Sequence, residues 1–291
     1  MFENGSRELW KSDGTAAGTA VVTALPSVTH VDPTELTDVN GMLFFTAENQ
    51  NHINALWKSD GTAAGTSPIT PLPDTNRSVS RLTNANGTLF FTVDPFDAQT
   101  DELWKSDGTA TGTTFVKDML DGTYLPAGES LPSIGGTVLF AAYGSAGDEL
   151  WQSDGTPAGT TLVKDINPGP NDANPHNPRV VNDVLLFATT DGAHGTELWK
   201  SDGTAVGTLM LQDIAAGSTN SDPQGFTMSG TTLFFSADDG TAGRELWALP
   251  LTNGVDLGVE TPPLVGAPPA ESLRSRSPTA TAAPSPARRS C

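Results

Sequence analysis

Five aspartates recur in one setting. Asp13, Asp60, Asp107, Asp154 and Asp202 each stand in the tetrad Ser-Asp-Gly-Thr. Calcium gathers roughly six to eight oxygens, and a carboxylate beside a glycine bend can supply carboxylate and carbonyl oxygens to it. Each tetrad holds one aspartate, however, where dedicated calcium loops alternate several. The same residues also make a turn: Asp accepts hydrogen bonds from the backbone N–H groups ahead of it, and Gly takes a positive φ without a Cβ clash. The expectation is therefore structural turns, with calcium as the second reading and no other cofactor.

Other residues capable of chemistry are sparse. His30, His52, His176 and His194 all fall in expected loops, and none pairs at zinc-ligand spacing. No nucleophile elbow, phosphate-binding loop or dinucleotide fingerprint is present. Lys117-Asp118 and Lys164-Asp165 recur at strand ends and read as solvated termini, because a catalytic pair is not expected to repeat. A second acidic group, Asp191 and Asp238-Asp239, precedes a glycine in another loop, expected at the opposite end of the strands. The non-repeated polar cluster is Asn171, Asp172, Asn174 and His176, in the Pro-rich loop 167–178. With loop 119–133 it is where an enzyme would place its chemistry.

These residues are positioned by a repeat. All six tryptophans lie on one ladder, Trp10, Trp57, Trp104, Trp151, Trp199 and Trp247, spaced 47 or 48 residues apart. Each period carries four strand signals: a Glu-Leu-Trp-Lys-Ser segment, a segment after the turn such as Thr160–Asp165, a short third strand such as Arg179–Val181, and a Leu-Phe-Phe-type strand such as Leu89–Phe91. Asn40-Gly41, Asn86-Gly87 and Gly135-Gly136 read as two-residue hairpin turns between the last two. Four short strands in such a period match one propeller blade. The Leu-Phe-Phe strands are apolar at consecutive positions, so both faces are covered, as in a blade held between two neighbours. The fold class is thus all-β, a β-propeller of about five four-stranded blades, closed or part of a longer open array. The tryptophans are expected in the core and not as sugar platforms.

The word Glu8-Leu9-Trp10-Lys11-Ser12-Asp13-Gly14-Thr15 returns around Trp57, Trp104, Trp151 and Trp199, with Ala55 and Gln152 as variants. It resembles the bacterial ELWxxDGT repeat proteins over Glu8 to Trp247. That resemblance implies propeller-like repeats and an extracellular or cell-envelope location. Residues 1–7 carry no export signal, and the sequence opens in mid-repeat, so a truncated start is expected.

Composition bounds the partners. The net charge of -19 disfavours nucleic acid and anionic membrane surfaces. No apolar run approaches a membrane span. The lone Cys291 leaves no disulfide within the chain. The expected organisation is a repeat domain over 1–250, a Pro/Gly-rich linker over 251–269 and a disordered Pro/Ala/Ser/Arg-rich tail over 270–291. The functional expectation is a non-enzymatic, secreted or surface binding and adhesion module for a glycan or another surface protein. The alternatives are a hydrolase or lyase acting on polysaccharide from a propeller scaffold, and a purely structural repeat or gene fragment.

Overall fold

The structure, a computed structural model, describes residues 8–23, 33–48, 53–70, 72, 77–95, 101–119 and 131–250. The expected linker and tail, loop residues 120–130, and His30 and His52 lie outside them. Every described element is a strand.

Strands β1 (Leu9–Lys11) and β2 (Ala20–Thr23) form a two-stranded sheet. Four complete blades follow, each an antiparallel sheet with its strands in chain order. The first holds β3 (Thr34–Val39), β4 (Met42–Glu48), β5 (Asn54–Ser59) and β6 (Ser67–Pro68). The second holds β7 (Arg77–Ala85), β8 (Thr88–Pro95), β9 (Glu102–Ser106) and β10 (Thr114–Asp118). The third holds β11 (Ser133–Ile134), β12 (Thr137–Gly144), β13 (Gly147–Ser153) and β14 (Thr161–Lys164). The fourth holds β15 (His176–Val181), β16 (Val184–Thr190), β17 (Thr196–Ser201) and β18 (Leu209–Gln212). A three-stranded sheet closes the described region: β19 (Gln224–Ser229), β20 (Thr232–Asp238) and β21 (Arg244–Pro250). The chain is a β-propeller array, and the expected five blades resolve into four complete and two partial sheets. The third strand of the last unit, β21, ends in Ala248-Leu249-Pro250 where the repeated word has Lys-Ser-Asp, and no fourth strand pairs with it among the described residues.

The hairpin turns are as expected. Asn40 and Gly41 have φ of 54° and 80°, Asn86 and Gly87 50° and 89°, Gly135 and Gly136 58° and 91°. Two successive left-handed residues give the turn twist that suits paired strands. Asn182 and Asp183 do the same in the fourth blade with φ of 49° and 61°.

The apolar cores lie between blades. In each Glu-Leu-Trp strand the leucine faces the following sheet and the tryptophan the preceding one. Leu103 packs with Val138, Phe140 and Met119, whereas Trp104 packs with Phe44 and Leu56 of the blade before. The Leu-Phe-Phe strands split likewise: Phe44 faces forward and Phe45 backward, onto Leu9 and Val22. Five such joints link the six sheets. This two-sided burial is why both residues of each pair are apolar. The core expectation holds for Trp57, Trp104 and Trp199 but not for Trp10, which is 57% exposed because among the described residues no sheet covers its face.

The first strands of successive blades approach each other, β3 to β7, β7 to β11 and β15 to β19, which puts them nearest the propeller axis.

Candidate functional site

The Ser-Asp-Gly-Thr turns join the third and fourth strands of the blades and stand in register along one end of the array. Each is sealed by its own side chains. Asp107 Oδ1 accepts the Thr109 N–H at 2.8 Å and the Thr109 hydroxyl at 2.7 Å. Ser106 and Thr113 share a hydroxyl bond of 2.7 Å across the turn base. Asp13, Asp60, Asp154 and Asp202 repeat this geometry. At Asp13 the Thr15 N–H, and then its hydroxyl, hold the carboxyl below the usual range. At Asp60, Asp107 and Asp154 the threonine hydroxyl leads, followed by the N–H. The glycine that ends the word is equally constrained: a Cβ on Gly112 would lie 2.0 Å from Asp107 Oδ1. These five aspartates therefore act as turn formers, each in its own loop. No group of three or more acidic, His or Cys side chains is placed to hold a metal among the described residues.

The lysine of the repeated word has a role that the sequence did not disclose. Lys11 Nζ donates to the Gly61 carbonyl at 2.8 Å, and Lys58 Nζ to the Gly108 carbonyl at 2.7 Å. Each lysine thus clips its turn to the next one. Beside the Asp107 turn an open groove of about 350 Å³ is lined by Thr88, Lys105, Ser106, Asp107, Thr111 and Thr114. Lys117 and Lys164 do more than solvate strand ends. Lys117 Nζ sits 4.2 Å above the Trp151 ring of the next blade, and Lys164 Nζ donates to the Thr208 carbonyl at 2.6 Å.

The other acidic loops are self-contained too. Asp191 accepts the Ala193 and His194 N–H groups and pairs with His194 Nδ1 at 2.8 Å. Burial works against ionised Asp191, but the His194 ring and the two N–H groups outweigh it and hold its pKa low, while Asp191 raises that of His194. Asp239 Oδ1 accepts the Thr241 N–H and hydroxyl. These loops join the second and third strands, at the blade end opposite the repeated turns.

In the third and fourth blades the glutamate of the word is a loop fastener, whereas Glu102 of the second pairs with Arg77 and accepts the Trp104 Nε1–H. Glu149 accepts the Ile166 and Asn167 N–H groups just beyond β14, and Glu197 accepts those of Ile214 and Ala215 just beyond β18. Burial pushes Glu149 up to about 7 and also raises Glu197, against the pull of these hydrogen bonds. Neighbouring Asp148 is also pushed to about 7, first by burial and then by the charge of Asp172. Its Oδ1 has no hydrogen-bond partner.

The polar cluster 171–176 tethers the third blade to the fourth. Asp172 Oδ1 accepts the Asp148 N–H at 2.9 Å, the Ala173 carbonyl accepts the Thr190 N–H at 3.0 Å, and His176 Nδ1 meets the Asn174 carbonyl at 2.8 Å. A cavity of about 20 Å³ beside it, lined by Pro132, Phe140, Leu150, Pro175, His176 and Phe187, has room for about one water.

One feature near the axis has no sequence word. The first strands bulge at Glu35, Arg81, Asn177 and Gly225, all left-handed, with φ of 53°, 58°, 52° and 72°. Glu35 Oε2 accepts the Leu82 N–H of the next blade at 3.0 Å, and Arg81 pairs with Asp101 at 2.9 Å. Thr37, Thr83 and Thr227 donate to the bulge carbonyls. The spacing Glu35-x-Thr37, Arg81-x-Thr83 and Gly225-x-Thr227 is the signal that could have located the bulges.

No family model matches this chain, and no curated protein matches it. Solved structures share the fold. A prolyl endopeptidase matches 78% of this chain and 35% of its own at 10% identity and a TM-score of 0.51. A puromycin hydrolase matches 90% and 43% at 14% identity and 0.52. A putative dipeptidyl aminopeptidase IV from Bacteroides ovatus matches 82% and 43% at 9% identity and 0.50. The chain spans less than half the length of each, and the likeness is one of propeller fold.

Proposed function

We propose that this protein is a non-enzymatic binding and adhesion module of the cell surface or extracellular space, belonging with the ELWxxDGT repeat proteins, and that its turn face holds a multivalent, hydroxyl-rich ligand such as a glycan. The observation that carries this reading is the groove at the Asp107 turn, where a cation, an anion and three threonines line about 350 Å³. Such a volume suits a small saccharide unit, and the polar lining offers donors and acceptors to its hydroxyls. The word recurs in register, so one polymeric ligand can engage several turns, and linked weak sites gain effective concentration. The lysine clips keep the turns at fixed spacing, which lowers the ordering cost of binding.

A glycan array probed with the whole chain, with and without calcium, tests the reading. Retention of a polymeric glycan that Lys105→Ala weakens is the expected result. Failure to retain any glycan in either condition would remove the lectin role. No cofactor belongs to this reading. Calcium at the turns is tested separately by melting: a Tm that EDTA leaves unchanged ends that idea.

A further inference from the structure

The residue before the glutamate of the repeated word changes from blade to blade. It is Asp101 in the second complete blade, Asp148 in the third and Thr196 in the fourth. In the third and fourth blades it sits in the same clamp. The Asp148 N–H donates to Asp172 Oδ1 at 2.9 Å, and the Thr196 N–H donates to Asn220 Oδ1 at 2.9 Å. The preceding glycine is held equally close in both. A Cβ on Gly147 would lie 2.3 Å from the Asn171 carbonyl oxygen, and one on Gly195 2.4 Å from that of Thr219. The fourth blade closes this loop with two neutral side chains, so the geometry does not call for two acids in the third. In the second blade the acid at this position has a counter-charge, because Asp101 pairs with Arg81. Asp148 has none of this. It is 8% exposed, its Oδ1 lacks a hydrogen-bond partner, and the charge that reaches it is the like charge of Asp172. Glu149 beside it differs, since the Ile166 and Asn167 N–H groups occupy its two oxygens. A buried carboxylate beside a second carboxylate is costly to keep ionised unless a cation joins them.

We propose that Asp148 and Asp172 together bind a divalent, oxygen-seeking cation, calcium, at the blade end opposite the Ser-Asp-Gly-Thr turns. Such ions take carboxylate and carbonyl oxygens together with water. Asp148 supplies the buried, unpartnered oxygen, and Asp172 is exposed, which gives the ion a way in from solvent. The Asn171 carbonyl, packed against Gly147 in the same clamp, offers a backbone oxygen. No group of three acidic, His or Cys side chains is placed here among the described residues, so water completes the shell. An ion held by so few protein oxygens binds weakly, with a Kd of about 10⁻⁴–10⁻³ M, as in extracellular calcium modules. The ion ties β13 to the 171–176 loop and so tightens the tether between the third and fourth blades. This site is separate from the repeated aspartates, each of which is sealed within its own turn.

Calorimetric titration of calcium chloride into the whole chain tests this at about pH 8, above the raised Asp148 pKa of about 7. Thermal melting gives a second readout. At about 10 mM calcium, roughly ten times the weaker Kd, the wild-type Tm should rise by about 3 °C or more over its value in EDTA. The double variant Asp148→Thr/Asp172→Asn installs the pair that the fourth blade already uses, so it is expected to fold, and an unchanged β-type circular dichroism spectrum checks it. It should show neither the calcium heat nor the Tm shift. Asp172→Asn alone keeps an oxygen for the Asp148 N–H and should weaken binding at least about tenfold. Asp107→Ala, in a repeated turn, should respond to calcium like the wild type. A wild type with no calcium heat would overturn the proposal. So would a double variant that binds like the wild type, or loss of binding in Asp107→Ala alone, which would place the ion at the turns. Glycan retention does not enter this readout, so the two readings fail separately.

Discussion

Trp104 and Trp10 occupy the same place in the same word, and the structure assigns them opposite costs. Trp104 is 6% exposed, stacks on Phe91 with centroids 6.5 Å apart, meets Phe115 edge-on at 6.0 Å, and donates its Nε1–H to Glu102 at 2.8 Å. Trp104→Ala removes the indole from the joint between the first two complete blades and leaves a cavity that rigid strands cannot close. A truncation of that kind costs about 3–5 kcal/mol. Trp10→Ala removes a ring that is already mostly in water, so it should cost less than about 0.5 kcal/mol. Urea unfolding followed by far-ultraviolet circular dichroism measures both. The slope of the transition should be unchanged, so the difference appears in its midpoint. Equal costs for the two substitutions would refute the directional-joint argument, because the neighbouring blade and the Phe91 strand that bury Trp104 have no counterpart around Trp10 among the described residues.

Further outcomes follow from the loops. Asp148 has its folded pKa raised from 3.8 to about 7, so its stabilising contribution is complete below about pH 4 and is lost as pH rises through 7. Asp148→Asn should flatten that decline and gain about 1–2 kcal/mol at pH 8 in a urea titration; a variant no more stable than wild type at pH 8 contradicts it. Gly112→Ala should destabilise by about 1–3 kcal/mol, because its Cβ would strike the Asp107 carboxylate. In an Asp107→Ala background the same change should cost less, and strict additivity in that double-mutant cycle would show that the clash is not the cause.

The fold was legible because its determinants are local and repeated. Asn40-Gly41 and Asn86-Gly87 announce their turns through the left-handed φ they require, and Leu-Phe-Phe announces a strand covered on both faces. What stayed hidden depends on a neighbouring blade. The Lys58 clip needs the Gly108 carbonyl, a separation of 50 residues that no local pattern displays. Glu197 looks like a solvated strand residue until Ile214 and Ala215 aim their N–H groups at it. The bulges at Glu35, Arg81, Asn177 and Gly225 share a backbone conformation but not a residue type, so the only repeated trace of them is the threonine two residues on, at Thr37, Thr83 and Thr227. Trp10 carries the same word as Trp104, and only the absence of a covering sheet among the described residues makes it different.

The two-sided joint also bears on how such a sequence changes over generations. Each unit brings one plug and one socket of a common apolar fitting, its leucine and its tryptophan, beside a few contacts of its own such as Glu35 on the Leu82 N–H. In-frame recombination between two Trp-Lys-Ser-Asp-Gly-Thr words would therefore add or excise a whole unit and leave the leucine–tryptophan fittings matched. Length is then set by copy number, and selection can vary it without redesigning a core.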